Sequence, residues 1–166
     1  MPILDEIKQG EGKRLELKEK LPSPEALAKT VVAFSNTSGG KIIIGVRDNR
    51  EIIGINETDI LQLEEKISSI IYDLCYPNIL PEIYTVYVEG KLLLVVEVFR
   101  GSLLPYYLKN KGKRNGTYIR IGSTNRQADE QMILELERQR RGKTFDEEEN
   151  FEYDIADLDL TPIYGI

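Results

Sequence analysis

Residues 33–48 read AFSNTSGGKIIIGVRD, and this stretch decides the fold because it joins a helix end, a glycine pair and a buried strand. A helical pattern stops at Asn36, and Gly39 and Gly40 permit a backbone turn that residues with a Cβ resist. The isoleucines that follow are typical of a strand covered on both faces, which delivers Asp48 at its far end. Polar groups placed by rigid elements in this way are candidates for a functional site.

Upstream of this stretch, the sequence predicts a strand followed by the helix that Asn36 ends. Charged and apolar residues alternate over residues 14–18, as in a half-buried strand. Ser23 is a typical helix cap, and Pro24 suits the first helical position. The element after the glycine pair is predicted as a strand over residues 41–46.

Downstream, the patterns predict a compact alternation of elements. They are a short return strand near 52–53, a helix from near Asn56 or Thr58 that stops before Pro77, a hairpin of 83–88 and 91–98, strands near 106–108 and 117–121, and a helix over 129–140. The expected fold is a single α+β domain with a mixed β-sheet of about six strands and three helices. The expected element order is β-α-β-β-α-β-β-β-β-α.

Composition narrows the class of protein. With 166 residues and 41% hydrophobic residues, the chain suits one domain with a sizeable core. No apolar run approaches the roughly 20 residues of a membrane span, and the first residues do not resemble a signal peptide, so a cytoplasmic protein without a membrane partner is expected. The absence of histidine excludes histidine-dependent catalysis and histidine-ligated metals. The single Cys75 falls in an apolar pattern and is interpreted as a small core residue rather than a reactive thiol.

The net charge of −6 is unevenly distributed. Residues 144–166 hold eight of the 28 acidic residues and no Lys or Arg. Residues 1–143 therefore contain the other 20 acidic residues and all 22 basic ones, which gives them a net charge near +2. The body, residues 1–143, is predicted to be the folded domain. The acidic tail is interpreted as a linker toward a downstream region, or as an internal mimic of nucleic acid that competes for a basic surface.

Several motifs, taken in order, resemble the Schlafen-type AlbA-like domain family. They are Glu11 with Glu16-Leu17-Lys18, residues 33–40 with Ile43-Ile44-Gly45-Val46 and Asp48, Ile53-Gly54, Pro105-Tyr106, and Tyr118-Ile119-Arg120-Ile121-Gly122-Ser123. The similarity covers about residues 8–141 and rests on the whole ordered set rather than on one motif.

The resemblance implies two functions. Bacterial and archaeal members are described as DNA-binding transcriptional regulators, whereas some animal Schlafens cut transfer or ribosomal RNA with three acidic residues. The matching acids here are Glu11, Glu16 and Asp48, which would hold Mg or Mn in a nuclease, while Lys18 would offset charge on a phosphate. A homodimer is a further expectation from the family.

The residues themselves leave the role of these acids open. Glu16 between two cations is also what a salt-bridged strand surface looks like, and Asp48 is an ordinary turn residue. Glu11 and Glu16 cannot face the same way on a regular strand, so Glu11 is expected in a turn. ATP binding is not indicated, because Gly40-Lys41 lacks the remainder of a phosphate loop.

A polyanionic partner is predicted from the second half of the body, where cations are interleaved with tyrosines. The predicted nucleic-acid-binding residues are Arg100, Lys109, Lys111, Lys113, Arg114, Tyr118, Arg120 and Arg126, with a second basic cluster at Arg138, Arg140, Arg141 and Lys143. Residues 110–116 are expected to form an exposed hairpin tip. The leading hypothesis is a nucleic-acid-binding domain, with DNA favoured over RNA, of a transcriptional regulator. The alternatives are a metal-dependent endoribonuclease and a protein-interaction module.

Overall fold

The computed structural model describes residues 2–152, with side-chain surroundings for residues 2–142. This part of the chain forms five α-helices, eight β-strands and one 3-10 turn at Glu57–Asp59. The helices are α1 (Ile3–Gln9), α2 (Pro24–Asn36), α3 (Ile60–Leu74), α4 (Gly112–Gly116) and α5 (Glu130–Glu152). The strands are β1 (Leu15–Lys18), β2 (Gly40–Ile44), β3 (Cys75–Tyr76), β4 (Glu82–Val88), β5 (Lys91–Val98), β6 (Tyr107–Leu108), β7 (Tyr118–Ile121) and β8 (Thr124–Gln127).

The main sheet is mixed and has the strand order β1-β2-β5-β4. β1 and β2 run parallel and are joined by α2, whereas β5 runs antiparallel to both β2 and β4. The predicted α+β domain with a mixed sheet is therefore confirmed. The single sheet of about six strands is replaced by this four-stranded sheet and two small ribbons, β3–β6 and β7–β8.

Both faces of the main sheet are covered, because successive side chains of a strand point to opposite faces. Ile42 and Ile44 of β2 belong to the core cluster with α2 and α3, whereas Ile43 belongs to the cluster that contains Ile7 of α1. The central strand β5 is buried from Leu92 to Val96, and its side chains also alternate between the two clusters. This double cover explains why the two strands read as continuous apolar runs, as the sequence predicts.

The stretch around the glycine pair folds as its sequence predicts. The Ser23 hydroxyl accepts a hydrogen bond from the Ala26 amide at 3.3 Å, and the helix that it caps ends at Asn36. Gly39 has a φ of +75°, and a Cβ added at Gly40 would lie 2.7 Å from the Phe34 ring. The glycines thus stop the helix and allow the backbone to pass close to that ring.

The structure differs from the sequence prediction in several local elements. Helix α1 and strands β3 and β8 were not expected from the sequence pattern. The predicted hairpin tip at 110–116 contains the short helix α4, which a hydrogen bond from the Thr117 hydroxyl to the Lys113 carbonyl (2.6 Å) closes. The predicted return strand at 52–53 is only an isolated bridge between Val46 and Ile52.

The last helix is longer than predicted, since α5 continues to Glu152 rather than stopping near residue 140. The predicted boundary between body and tail, at residue 143, therefore falls within a helix. Residues 153–166 of the predicted tail lie outside the described residues, so the division into domain and tail stays a prediction. No helix in the described part of the chain is both long enough and apolar enough to cross a membrane.

Cys75 is a core residue, as the sequence indicates. It is fully buried at the start of β3, and burial raises the pKa of its thiol to about 12. Because the thiolate is the reactive form of cysteine, we expect Ellman's reagent at pH 8 to leave the native protein unmodified and to modify one thiol per chain in 6 M guanidinium. Rapid modification of the native protein would contradict this placement of Cys75.

Candidate nucleic-acid interface

Glu16, the central member of the predicted acidic trio, is nearly buried and already paired. Its Oε1 lies 2.8 Å from Nη1 of Arg120, and its Oε2 lies 3.3 Å from Nζ of Lys18. The glutamate side chain is 11% exposed and that of Arg120 only 1%. Both carboxylate oxygens of Glu16 therefore face protein cations.

The other two acids have different surroundings. Glu11 sits in the turn before β1, as predicted, and its Oε2 accepts the Leu17 amide at 3.0 Å on the strand side that does not face β2. Asp48 is exposed in the turn that follows β2. Among residues 2–142, no group of three or more acidic or cysteine side chains is arranged to hold a metal ion. Metal binding by Glu11, Glu16 and Asp48 therefore stays a prediction from the family resemblance.

Arg120, predicted as a nucleic-acid contact, lies in the core. Its guanidinium donates to the carbonyls of Gly12 (3.0 and 3.1 Å) and Leu15 (3.0 Å) and to Oδ1 of Asn125 (2.8 Å). It also lies 4.9 Å from the centre of the Phe34 ring. Arg120 thus joins β7 to the turn before β1 and is not exposed to a partner.

Three other predicted residues are held by the fold in different ways. Tyr118 is buried, with Nζ of Lys29 5.2 Å from the centre of its ring. Arg100 is exposed but donates to the Thr37 carbonyl at 2.5 Å, where its charge suits the carbonyl end of α2. Arg126 is exposed on β8, opposite Ile119 of β7.

Four cations lie between β6 and β7, and we define Lys109, Lys111, Lys113 and Arg114 as the basic segment. Lys111 is half-buried and the other three are exposed. Lys111 pairs with Glu25 at 3.2 Å and thereby lowers the pKa of that carboxyl, and Lys113 pairs with Glu137 of α5. Lys109 donates to the Tyr72 carbonyl at 3.2 Å. These are surface contacts, which are weak in water and can be exchanged for phosphate oxygens.

The basic segment meets the second basic cluster at one cavity. This cavity has a volume of about 330 Å³ and lies between β3, β6, α4 and α5. The polar and aromatic residues that line it are Tyr76, Tyr107, Lys113, Glu137, Arg140 and Arg141. Thus two groups of cations that are separated by more than twenty residues of sequence share one concave surface with two tyrosine rings.

Sequence reasoning missed Tyr76, although it recognised the cations on both sides of it. Tyr76 pairs directly with Tyr107 across the β3–β6 ribbon, and the centres of the two rings are 5.6 Å apart. The only local signal was an aromatic residue just before Pro77, which is too common to indicate a site. Tyr76 becomes part of the site only through its pairing with a strand about thirty residues later in the chain.

Comparisons with known proteins agree with this fold. The family model for the Schlafen AlbA_2 domain matches residues 11–129, and the chain belongs to that family. The comparison with curated proteins gave no match.

Solved structures resemble the chain as well, and two of them are described here by their names. One is the N-terminal domain of a protein from Nitrosomonas europaea, related by name to the ATP-dependent DNA helicase RecG; it is 28% identical, has a TM-score of 0.54, and the match covers 76% of this chain and 90% of that domain. The other, a Corynebacterium diphtheriae protein, is 24% identical with a TM-score of 0.55 and shows the fold alone. There the match covers 76% of this chain and 24% of the other.

Proposed function

We propose that this chain is a nucleic-acid-binding domain, with DNA as the favoured target, of a transcriptional regulator. The observation that carries the proposal is the cavity at which Lys113 of the basic segment meets Arg140 and Arg141 of α5. Cations gathered on one surface from separate elements provide an electrostatic footprint for a phosphate backbone. The membership of the Schlafen AlbA_2 family, and a solved neighbour related by name to a DNA helicase, support a nucleic-acid partner.

The ribonuclease alternative has less support from the geometry. A metal-dependent cut requires open carboxylate oxygens beside the bound phosphate. Here Glu16 is paired with Arg120 and Lys18, and Glu11 accepts a backbone amide. The site of the proposed binding lies elsewhere, along the basic segment and α5, and it requires no metal ion.

The salt dependence of binding tests the proposal. If Lys109, Lys111, Lys113, Arg114 and Arg141 each neutralise one phosphate, the logarithm of the affinity for duplex DNA should fall with the logarithm of salt concentration with a slope of about −4 to −5. Arg114 and Arg141 are exposed, and neither pairs with an acidic side chain within residues 2–142. The double variant Arg114→Gln/Arg141→Gln should therefore weaken the slope by about 2. Fluorescence anisotropy of a labelled duplex measures both slopes.

The matched control removes the same charge from the other side of the sheet. Lys8 on α1 and Lys91 on β5 are exposed and line a separate groove beside α1. The variant Lys8→Gln/Lys91→Gln should keep the wild-type slope. Binding that does not depend on salt would refute the proposal, and an equal loss in both double variants would move the interface away from the basic segment.

A further inference from the structure

The two tyrosines at the cavity present an aromatic surface to solvent. Tyr76 and Tyr107 are direct partners in the β3–β6 register, so their side chains lie on the same face of that ribbon. Their ring planes are tilted by 55° rather than stacked on one another, and Tyr76 is 50% exposed. The Tyr76 ring is thus placed by the backbone but only partly covered by protein.

The neighbouring tyrosine on α3 provides a contrast. Tyr72 is also exposed, but Nζ of Lys109 lies 5.5 Å from the centre of its ring. A cation over the ring already occupies that aromatic face. Tyr76 lies in the cavity without such a cation over its ring among the described residues.

The walls of the cavity differ in chemistry. Tyr76, Tyr107 and two prolines give it an apolar and aromatic side, whereas Lys113 and Arg141 give it a cationic side. A nucleotide has the same division, since its base is flat and stacks on aromatic rings while its phosphate pairs with cations. The volume of about 330 Å³ is at the lower end of the range for small-molecule pockets, which suits one nucleotide rather than a larger ligand.

We infer that this cavity takes an unpaired base of a single-stranded segment, with the base stacked on Tyr76 and a neighbouring phosphate on Lys113 and Arg141. The inference rests on the proposed nucleic-acid function and makes it more specific. In a duplex the faces of the bases are covered by their neighbours in the stack, so a base can enter the cavity only from a single strand, a bulge or an opened end. Glu137, which holds Lys113 in the unbound protein, would be displaced by the phosphate.

The test uses the full chain and two oligonucleotides of equal phosphate number. One is a labelled thymidine decamer, and the other is an equally labelled decamer in which every position is abasic. We expect Tyr76→Ala to weaken binding of the thymidine decamer by roughly 5- to 150-fold, the range for loss of one stacked base. The same substitution should leave the abasic decamer and the salt slope nearly unchanged, because stacking does not involve phosphate neutralisation.

Two further variants separate stacking from other effects. Tyr76→Phe keeps the ring and should bind the thymidine decamer like the wild type. Tyr87→Ala removes a similarly exposed tyrosine from β4, outside the cavity, and should also bind normally. Thermal unfolding checks that each variant is folded at the assay temperature.

The possible failures are distinguishable. If neither decamer nor duplex binds in a salt-dependent manner, the proposed function itself fails. If the thymidine decamer binds with a steep salt slope but Tyr76→Ala has no effect, the proposed function stands and the stacking inference is overturned. An equal loss of duplex and single-strand binding in Tyr76→Ala would also overturn it, because the ring would then contact something other than an unpaired base.

Discussion

Replacing Arg120 by alanine should reduce the free energy of unfolding by about 3–5 kcal/mol, the cost of breaking a buried ion pair by removing one partner. The Arg120 guanidinium donates to the carbonyls of Gly12 and Leu15 and pairs with Glu16 at 2.8 Å. Alanine would leave a nearly buried carboxylate opposite Lys18 alone, and the Gly12 and Leu15 carbonyls would keep only each other's backbone amides as donors. Urea unfolding monitored by circular dichroism measures the loss.

Two comparison variants identify the cause of this loss. Arg126→Ala changes the same residue type on the adjacent strand, where the side chain is exposed, and should alter stability by less than about 0.5 kcal/mol. If the buried and unpaired charge of Glu16 accounts for most of the lost stability, Arg120→Met combined with Glu16→Gln should be more stable than Arg120→Met alone. A loss below about 1 kcal/mol in Arg120→Ala would show that the guanidinium network contributes little to the fold.

The part of the fold that could be predicted from the sequence is the part with local signals. The cap at Ser23, the helix end at Asn36 and the glycine pair lie next to one another in sequence, and each matches the structure. The continuous apolar run in β5 likewise indicates, from its own sequence, that both faces of this strand are buried. Helix α1 was missed because its seven residues span about two turns, too few for a helical period to stand out.

In the candidate site, too, features formed by neighbours in sequence were predictable, and contacts between distant residues were not. The basic segment was recognisable because its cations are neighbours in sequence. Glu16 and Arg120 were assigned to different functional sites, since nothing local indicates that residues more than a hundred positions apart would neutralise each other. Alternation on β1 suggested a solvent-facing Glu16, and the ribbon of β7 and β8 that covers it was only half predicted.

Replacing Asn36 by aspartate should also strongly reduce the free energy of unfolding, although the two side chains have nearly the same shape. Nδ2 of Asn36 donates to the carbonyls of Tyr106 and Tyr118, both at 2.8 Å, and Oδ1 accepts the Tyr106 amide at 2.7 Å. Aspartate keeps the acceptor but places a buried negative charge against two carbonyl oxygens. Because each unsatisfied buried group costs about 1–3 kcal/mol and more when charged, we expect a loss of about 3 kcal/mol or more at pH 7.

The pH dependence of this loss distinguishes it from a packing defect. Burial beside two carbonyls should raise the pKa of the introduced carboxyl in the folded state, so the protonated form, which can donate one hydrogen bond, should be tolerated better. The difference in unfolding free energy between Asn36→Asp and the wild type should therefore shrink as the pH falls from 7 toward 4, and a constant difference would contradict this account. Asn125→Asp is the matched control, because its Oδ1 already faces Nη1 of Arg120 at 2.8 Å, where a carboxylate is favourable. Its Nδ2 donates to the Thr30 hydroxyl at 2.9 Å, and that hydroxyl can turn from the Ala26 carbonyl to donate to the new oxygen. Since Asn36 ties the helix end to Tyr106, next to Tyr107 of the cavity, Asn36→Asp should also weaken DNA binding at temperatures where it remains folded. The motif that decides the fold would then act on binding through the segments that it holds in place.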